Sequence, residues 1–159
     1  MSDNLQAALS LIENSREGAL ATLDAQDAPA QSRDPVFSRP FVSAVGYLYE
    51  RTAGKYGTTY LLLSDLARHT VNLKKNPGSS LLIVEANQDL PIHERKRVTL
   101  LGKAKIIDDK KKFEALKKDY LKIYPRAEIF FTLPDFRFYE IEINEIYWIG
   151  GFGKAEHFR

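Results

Sequence analysis

The sequence predicts a mainly β fold with flanking helices, in which the strands form one antiparallel sheet. Runs of β-branched and aromatic residues with period-2 alternation recur along the 159 residues, and most follow one another without an intervening helix. We count six or seven such strands and three helices. Closing that many short strands into a small barrel removes their exposed edges. We therefore predict a small antiparallel barrel, in a single domain spanning residues 1–159.

The first half of the chain is predicted to hold one helix and three strands. Apolar residues at helical spacing predict a helix over residues 3–17, and a strand follows at 19–23. Residues 24–40 contain three prolines and many small polar residues, which predicts a loop. Residues 41–50 and 58–63 are predicted to pair as a hairpin, because two glycines turn the chain between them.

The second half is predicted to add two helices and four strands. The predicted elements are a helix at 65–75, strands at 80–85 and 96–107, a helix at 108–124, and strands at 136–143 and 145–149. Residues 86–94 form a polar loop. The alternation shifts between Phe138 and Tyr139, which predicts a β-bulge there. The strand at 80–85 is apolar on both faces, as in the centre of a sheet.

Composition excludes several classes of protein. The net charge of +2 comes from 23 basic and 21 acidic residues, too even a balance for nucleic-acid binding. Cysteine is absent, which excludes disulfides and thiolate chemistry. No apolar run reaches the ~18 residues of a membrane span, and the N-terminus lacks the pattern of a signal peptide. We expect a cytoplasmic protein that contacts neither membrane nor nucleic acid.

The segment at residues 60–77 has the pattern of an anion site. A short apolar strand leads to Ser64 and Asp65, either of which could cap a helix that carries Arg68 and His69. The free N–H groups and the positive end of the helix dipole favour a phosphate at such a position. Arg68 and His69 would add charge-assisted hydrogen bonds. A capped surface helix with scattered polar residues is the alternative.

Motifs for several other chemistries are missing. The three histidines, His69, His93 and His157, have no metal-ligand spacing, so we predict no protein-bound metal site. The sequence contains neither GxSxG nor GxGxxG, which excludes a nucleophile elbow and a Rossmann dinucleotide site. We therefore assign no catalytic side chain.

The C-terminal segment at residues 147–157 contains the single Trp of the chain, Trp148, followed by glycines. Glycines let a backbone approach a flat ligand, and an indole offers it a packing surface. A Trp in the core followed by a loose glycine tail is the alternative.

Three separated blocks resemble a known family. The blocks are PFVSAVGYLYE at 40–50, YLLLSDLARHTVNLKKNPGSSLLIVE at 60–85 with RVTLLGKAKII at 97–107, and DFRFYEIEINEIYWIGGFGKA at 135–155. Together they resemble the pyridoxamine 5'-phosphate oxidase-like FMN-binding split barrels. SDLARHTVNL and YWIGGFGKA are most similar to the haem-utilisation branch of that family. The resemblance covers roughly residues 19–155.

The resemblance implies a six-stranded antiparallel Greek-key barrel that works as a homodimer, with FMN at the subunit interface. It implies that Val42, Ser43 and Ala44 run beside the flavin ring and that Leu63 and Ser64 lie beside the ribityl chain and phosphate. The phosphate clamp would consist of Arg68, His69, Thr70 and Asn72. Arg97 stands where the oxidases have a residue that contacts the ring, and Trp148 and Lys154 would reach the cofactor from the partner subunit.

Two departures from the family pattern matter. Where the oxidases have an Arg-Lys clamp, this sequence has Arg68-His69 or His69-Thr70. Because a histidine is charged only part of the time near neutral pH, the expected positive charge of the clamp is lower. The C-terminal run that binds pyridoxal phosphate in the oxidases is replaced by Lys154-Ala155-Glu156-His157-Phe158-Arg159, so pyridoxamine phosphate oxidation itself is not expected. In haem-degrading relatives a C-terminal His is the iron ligand, and His157 is the candidate for it.

Three functions are compatible with these residues. The first is an FMN-dependent oxidoreductase acting on an unidentified small molecule, with an unidentified electron donor or acceptor. The second is a haem-binding or haem-degrading protein built on the same barrel. The third is a non-catalytic flavin-binding module. The flavin site would look the same in the first and the third.

Overall fold

The computed structural model describes residues 1–25 and 38–159. The helices are α1 (Asp3–Asn14), α2 (Arg68–Lys75), α3 (Lys110–Ile123) and a 3-10 helix at Pro125–Thr132. The strands are β1 (Glu17–Ala25), β2 (Ser38–Gly46), β3 (Leu48–Glu50), β4 (Thr58–Ser64), β5 (Gly78–Val84), β6 (Arg97–Ile106), β7 (Phe136–Ile149) and β8 (Ala155–Phe158). Among the helices described, none is both long and apolar enough to cross a bilayer.

All the strands belong to one antiparallel sheet in the order β2-β1-β5-β6-β7-β4-β3, with β8 paired to β7. A single residue, Tyr47, separates β2 from β3. One bent strand therefore pairs with β1 along its first part and with β4 along its second, so the sheet curls on itself. Counting β2 and β3 as one strand and omitting β8 leaves six strands in the curl. The predicted mainly β split barrel is confirmed.

The inside of the curled sheet is the main core. Register places Leu20 opposite Leu81, Leu81 opposite Leu100 and Leu100 opposite Ile146, and all four side chains are buried. Helix α1 begins where Ser2 Oγ accepts a hydrogen bond from Leu5 N at 3.2 Å. The buried side of α1 packs against this core.

A second core lies on the opposite side of β3, β4 and β7. Tyr60 and Leu62 of β4 point outward there, and helix α3 and the 3-10 helix cover them with Leu116, Tyr120 and Ala127. Because β4 is buried on both faces, its sequence is continuously apolar rather than alternating. No helix of the described residues covers the outer side of β1, β2 and β5 in the same way.

Several predicted elements differ from those in the structure. Helix α2 begins at Arg68 rather than at residue 65, and β1 continues through Asp24, which was predicted to lie in a loop. The two last predicted strands are one strand, β7, whose bulge lies at Asn144 rather than at Phe138. Strand β8 was not predicted, since it forms only by pairing with β7. Residues 26–37 of the predicted loop at 24–40 lie outside the described residues, and its last three residues belong to β2.

We predict that Gly102→Ala will destabilise the fold by about 1–3 kcal/mol or more, because overpacking next to fixed backbone cannot relax. A Cβ at Gly102 would lie 2.3 Å from Glu142 O and 2.8 Å from Ile141 Cγ2. Urea unfolding followed by circular dichroism measures the loss.

Gly78→Ala is the matched control. Its Cβ would meet only the Asn76 side-chain oxygen, at 3.1 Å, which can rotate away. We expect a change below about 1 kcal/mol there. Equal losses in the two variants would contradict the close approach of β6 to the β7 bulge.

Candidate functional site

The uncovered outer side of the sheet presents one continuous row of side chains. Directly paired residues of antiparallel strands share a face, so the register aligns Ala44, Ala19, Leu82, Thr99, Tyr147 and His157 across six strands. We call this row, with Val42 beside it, the open face. Val42 is 60% exposed, Leu82 37% and Tyr147 43%. These three side chains are the exposed apolar part of the open face, which makes it the candidate binding surface.

A groove of about 530 Å³ opens at the β2 end of the open face. Its floor includes Ala19, Ala44 and Leu82, and its rim includes Val84 and Ala86. The rest of the wall is the turn between α1 and β1. Small apolar side chains make this floor flat, which suits a planar ligand.

Strand β2 ends the sheet order, so its second edge is unpaired among the described residues. Every other residue of an edge strand directs its N–H and C=O away from the sheet. Val42, Ser43 and Ala44, which the resemblance places beside a flavin ring, lie on this edge strand. Val42 and Ala44 face the open face, whereas Ser43 points inward and is partly buried.

Helix α2 packs on the inner side of β1 and β2 and brings Arg68 and His69 to Asp24 and Ser43. We call these four residues the α2 corner. Arg68 Nε and Nη2 both donate to Asp24 Oδ1, at 2.9 Å and 2.5 Å. The Asp24 side chain is only 11% exposed and that of Arg68 49% exposed. The predicted clamp arginine therefore already holds a carboxylate of its own chain.

His69 contributes hydrogen bonding rather than charge to the α2 corner. Its Nδ1 lies 3.0 Å from Ser43 Oγ. Burial lowers the pKa of His69 below its ordinary value, since desolvation disfavours the imidazolium. Near neutral pH the ring is therefore predominantly neutral. The predicted Arg68–His69 clamp has one formal positive charge, and Asp24 balances it.

Two further residues of the predicted clamp, Thr70 and Asn72, face the core. Asn72 is 1% exposed and its Nδ2 donates to Thr22 Oγ1 at 3.0 Å, which ties α2 to β1. Thr70 is fully buried, and its hydroxyl has no hydrogen-bond partner among the described residues. These two side chains hold the helix in place and do not reach the surface.

Ser64 and Asp65 do not cap α2. The N-cap residue is Ala67, which makes no side-chain cap bond. Ser64 Oγ instead donates to Asp135 Oδ2 and accepts from Leu66 N at 3.1 Å. Asp65 Oδ1 lies 2.7 Å from Lys74 Nζ. The capping prediction is wrong, because these residues form a turn anchored on Asp135 before the helix begins.

The remaining predicted site residues are widely separated. Leu63 is 3% exposed and Trp148 1% exposed, and both belong to the main core. The Trp148 ring packs inside its own barrel, as in the alternative interpretation of this segment, and its contact with a cofactor of the partner subunit stays a prediction. Arg97, the first residue of β6, donates to Ile92 O in the preceding loop at 3.0 Å. Lys154 is exposed in the turn before β8.

Asp24 and Asp135 are site residues that sequence reasoning missed. Leu20, Thr22 and Asp24 occupy alternate positions on the inner face of β1, and all three are buried. This period-2 pattern is the sequence signal from which β1 could have been predicted to continue to Asp24. Asp135 precedes β7 and no local pattern marks it. Within residues 1–25 and 38–159, no group of three or more potential metal ligands occurs.

The curled antiparallel sheet, closed by the one strand that pairs with both β1 and β4, is a split barrel. The sequence profile of the family described as CREG, beta-barrel matches residues 1–158, and the chain belongs to that family. A curated relative is the non-canonical heme oxygenase HOZ, chloroplastic, of Arabidopsis thaliana, with 33% identity over 99 residues. That match covers 62% of this chain and 29% of HOZ, so this chain spans less than a third of that relative.

Solved structures share the fold. The heme binding protein from Mycobacterium smegmatis superposes with a TM-score of 0.78 at 24% identity, over 99% of this chain and 58% of that one. A member of the pyridoxinephosphate oxidase family from Clostridium acetobutylicum gives 0.69 at 20% identity, over 98% and 93%. An FAD-binding protein from Mesorhizobium loti gives 0.61 at 17% identity, over 92% of each chain.

We predict that stability falls as the pH drops from about 7.5 to 5, partly through His69. Its pKa is lower in the folded chain than in the unfolded chain, so the unfolded state binds more protons below the ordinary value of about 6.5. Stability therefore rises with pH in this window, by at most about 1.4 kcal/mol per pH unit for one proton. Urea midpoints measured across the window test this.

His69→Asn should flatten the pH dependence in that window. His93→Asn, in the exposed loop before β6, is the matched control and should leave the slope as it is in the unmodified protein. An unchanged slope in the His69 variant would show that the ring titrates freely and that its burial has no effect on protonation.

Proposed function

We propose that this protein binds haem on the open face, with His157 as the axial ligand of the iron. The observation that supports this most directly is the cross-strand row. It places His157 on the same face as Tyr147, Thr99 and Leu82, although more than seventy residues separate Leu82 from His157 in sequence. A histidine at the margin of an exposed apolar sheet face is the arrangement that a flat, iron-containing ring requires.

The surroundings of His157 suit a ligand. Its Nε2 lies 2.8 Å from Glu145 Oε2, and its ring meets Tyr147 edge-on at 5.8 Å between centroids. A carboxylate on one ring nitrogen fixes the orientation of the imidazole and leaves the other nitrogen for a metal. The His157 side chain is 30% exposed, so Nδ1 can be reached.

The comparisons support haem as the cofactor. The curated relative with 33% identity is named a heme oxygenase, and a structure that covers nearly the whole of this chain is named a heme binding protein. When bound, haem would supply one-electron and oxygen chemistry. The chain itself would supply the apolar floor, the exclusion of water from one side of the ring, and the oriented imidazole.

A site that uses both the α2 corner and His157 needs two copies of the chain, because the two lie far apart within one copy. The α2 corner lies on the inner side of β1 and β2, whereas His157 lies on the outer side of β8, and β2 and β8 are at opposite ends of the six-strand row. Five inter-strand steps of ~4.8 Å separate them by roughly 24 Å along the sheet. We propose a homodimer in which one copy provides the α2 corner and the other provides His157.

We predict that haem titration of the purified protein gives a saturable Soret band, because a ring on the apolar face is shielded from water. His157→Ala should shift that band and weaken binding at least tenfold, since it removes the metal bond. His93→Ala is the matched control and should bind as the unmodified protein does.

Three results would contradict this proposal. They are a Soret band that is identical in the His157 variant, a haem spectrum that does not saturate, and a stable monomer with full haem affinity in sedimentation at micromolar concentration. An identical Soret band would show that His157 is not the ligand. A spectrum that does not saturate would show that there is no specific haem site, and a monomer with full affinity would show that the site is not shared between two copies.

FMN is the second candidate cofactor, and one observation favours it. Arg68 stands half-exposed at the start of α2, beside the unpaired edge of β2, and Arg68 N and His69 N have no backbone acceptor among the described residues. An anionic tail at such a helix start is favourable. On this alternative the protein is an FMN-dependent oxidoreductase acting on a small molecule, or a flavin-binding module without turnover.

We predict that Arg68→Ala weakens FMN binding about tenfold to a hundredfold if FMN occupies this position, through loss of a charge-assisted hydrogen bond. Quenching of flavin fluorescence measures the affinity. Arg126→Ala, on the exposed side of the 3-10 helix, is the control. Equal FMN affinity in all three proteins would remove Arg68 from the site.

A further inference from the structure

We infer that a second groove, between helix α3 and strand β3, binds a primary amine with an apolar tail. The groove has a volume of about 640 Å³, which is within the range of small-molecule sites, and we call it the α3 groove. It lies over the outer side of β3 and β4, so it is separate from the open face and from the α2 corner. The inference therefore goes beyond the proposed function and does not depend on haem or FMN.

The floor of the α3 groove is apolar. Leu48 of β3, Tyr60 of β4 and Leu116 of α3 line it, and all three are buried. Leu48 and Tyr60 are paired directly across β3 and β4, so their side chains share one face. Ile123, the last residue of α3, also lines the groove. A tail of a few methylene groups can lie along these side chains and lose its contact with water.

Glu50 is the carboxylate that a buried phenol holds in the groove. Tyr60 is 2% exposed, and its OH donates to Glu50 Oε2 at 2.7 Å. Burial and the neighbouring carboxylate raise the pKa of Tyr60, so the phenol stays protonated and remains the donor. This hydrogen bond leaves Glu50 Oε1 for a second donor, which a ligand ammonium group can supply.

Most of the other charges that line the groove are already paired. Three of them form ion pairs, which are Glu13 with Arg51 at 3.7 Å, Asp119 with Lys122 at 2.6 Å, and Lys112 with Glu140 at 2.6 Å. Lys112 Nζ also lies 5.1 Å from the centre of the Tyr60 ring, so an internal ammonium group already occupies that ring face. Glu50 forms no ion pair with any described residue, so its carboxylate is the acceptor left for a ligand.

Arg16 is the remaining charge of the lining, and it lies at the far end from Glu50. Its carbonyl accepts from Tyr47 N at 3.0 Å, whereas Glu50 comes three residues after Tyr47. At ~3.3 Å per residue the two backbone positions are roughly 10 Å apart, about one Debye length. An ammonium group in contact with Glu50 is therefore attracted by it more strongly than it is repelled by Arg16. Arg16 also lines the groove at the open face.

The test is a titration of the full chain without cofactor, followed by ¹H–¹⁵N NMR at constant pH and ionic strength. Hexylamine is the probe, hexanol has the same tail without the charge, and hexanoate has the opposite charge. We expect hexylamine to bind at least threefold more tightly than hexanol or hexanoate, because it alone forms an ion pair with Glu50. The amide signals of Leu48 and Ala115 should shift, whereas those of Leu82 and Thr99 on the open face should not.

Glu50→Gln tests the carboxylate itself. Its amide oxygen still accepts from Tyr60 OH, so the local structure is kept while the charge is lost. We expect hexylamine affinity to fall at least threefold and hexanol affinity to stay the same. Glu114→Gln is the matched control, because it removes an exposed carboxylate of α3 that lines a different cavity, and it should change neither titration.

Three results would overturn the inference. They are hexylamine binding no tighter than hexanol or hexanoate, an unchanged hexylamine affinity in Glu50→Gln, and the absence of saturable shifts in the α3 groove. The first and the third are measured on the unmodified protein, so they do not require a variant to fold. Haem binding is measured separately, so failure of this inference leaves the proposed function intact, and the reverse also holds.

Discussion

The fold depends on one strand that pairs with both ends of the same sheet. Around Tyr47 the chain stops pairing with β1 and starts pairing with β4, with no loop between the two parts. Several bonds hold this junction. Tyr47 OH donates to Ile12 O at 2.7 Å, and Tyr124 OH, from the end of α3, contacts both Tyr47 and Arg16. Because α1, β1 and α3 all meet at this residue, the curl of the sheet is fixed at the point where the strand changes partner.

The same curl divides the outer surface into two parts. The side formed by β3, β4 and β7 is covered by α3 and the 3-10 helix, and it forms a second core of stacked and edge-on aromatic rings. The side formed by β2, β1 and β5 has no helix over it among the described residues. Its apolar side chains remain exposed, and the groove lies at its margin. One part of the outer surface is thus a second core, and the other part is accessible to a ligand.

Much of the fold could be predicted from local pattern, and the charge state of the site could not. The continuous apolar run of β5, the amphipathic α3 and the β3–β4 hairpin all follow from spacing and turn residues. The Asp24–Arg68 pair joins positions 44 residues apart and required the register of β1 against α2. Trp148 followed by glycines indicated a ligand contact, but a period-2 count along β7 places it inward with Ile146. Side-chain alternation was thus the more reliable guide at that position than residue type.

The unpaired edge of β2 affects the tendency of the protein to aggregate. A strand edge with free N–H and C=O groups, beside the exposed Val42, is a template on which other chains can add strands. Anything that covers this edge protects the chain from aggregation. If the proposed second copy or ring covers it, loss of that partner would lower the solubility of the protein.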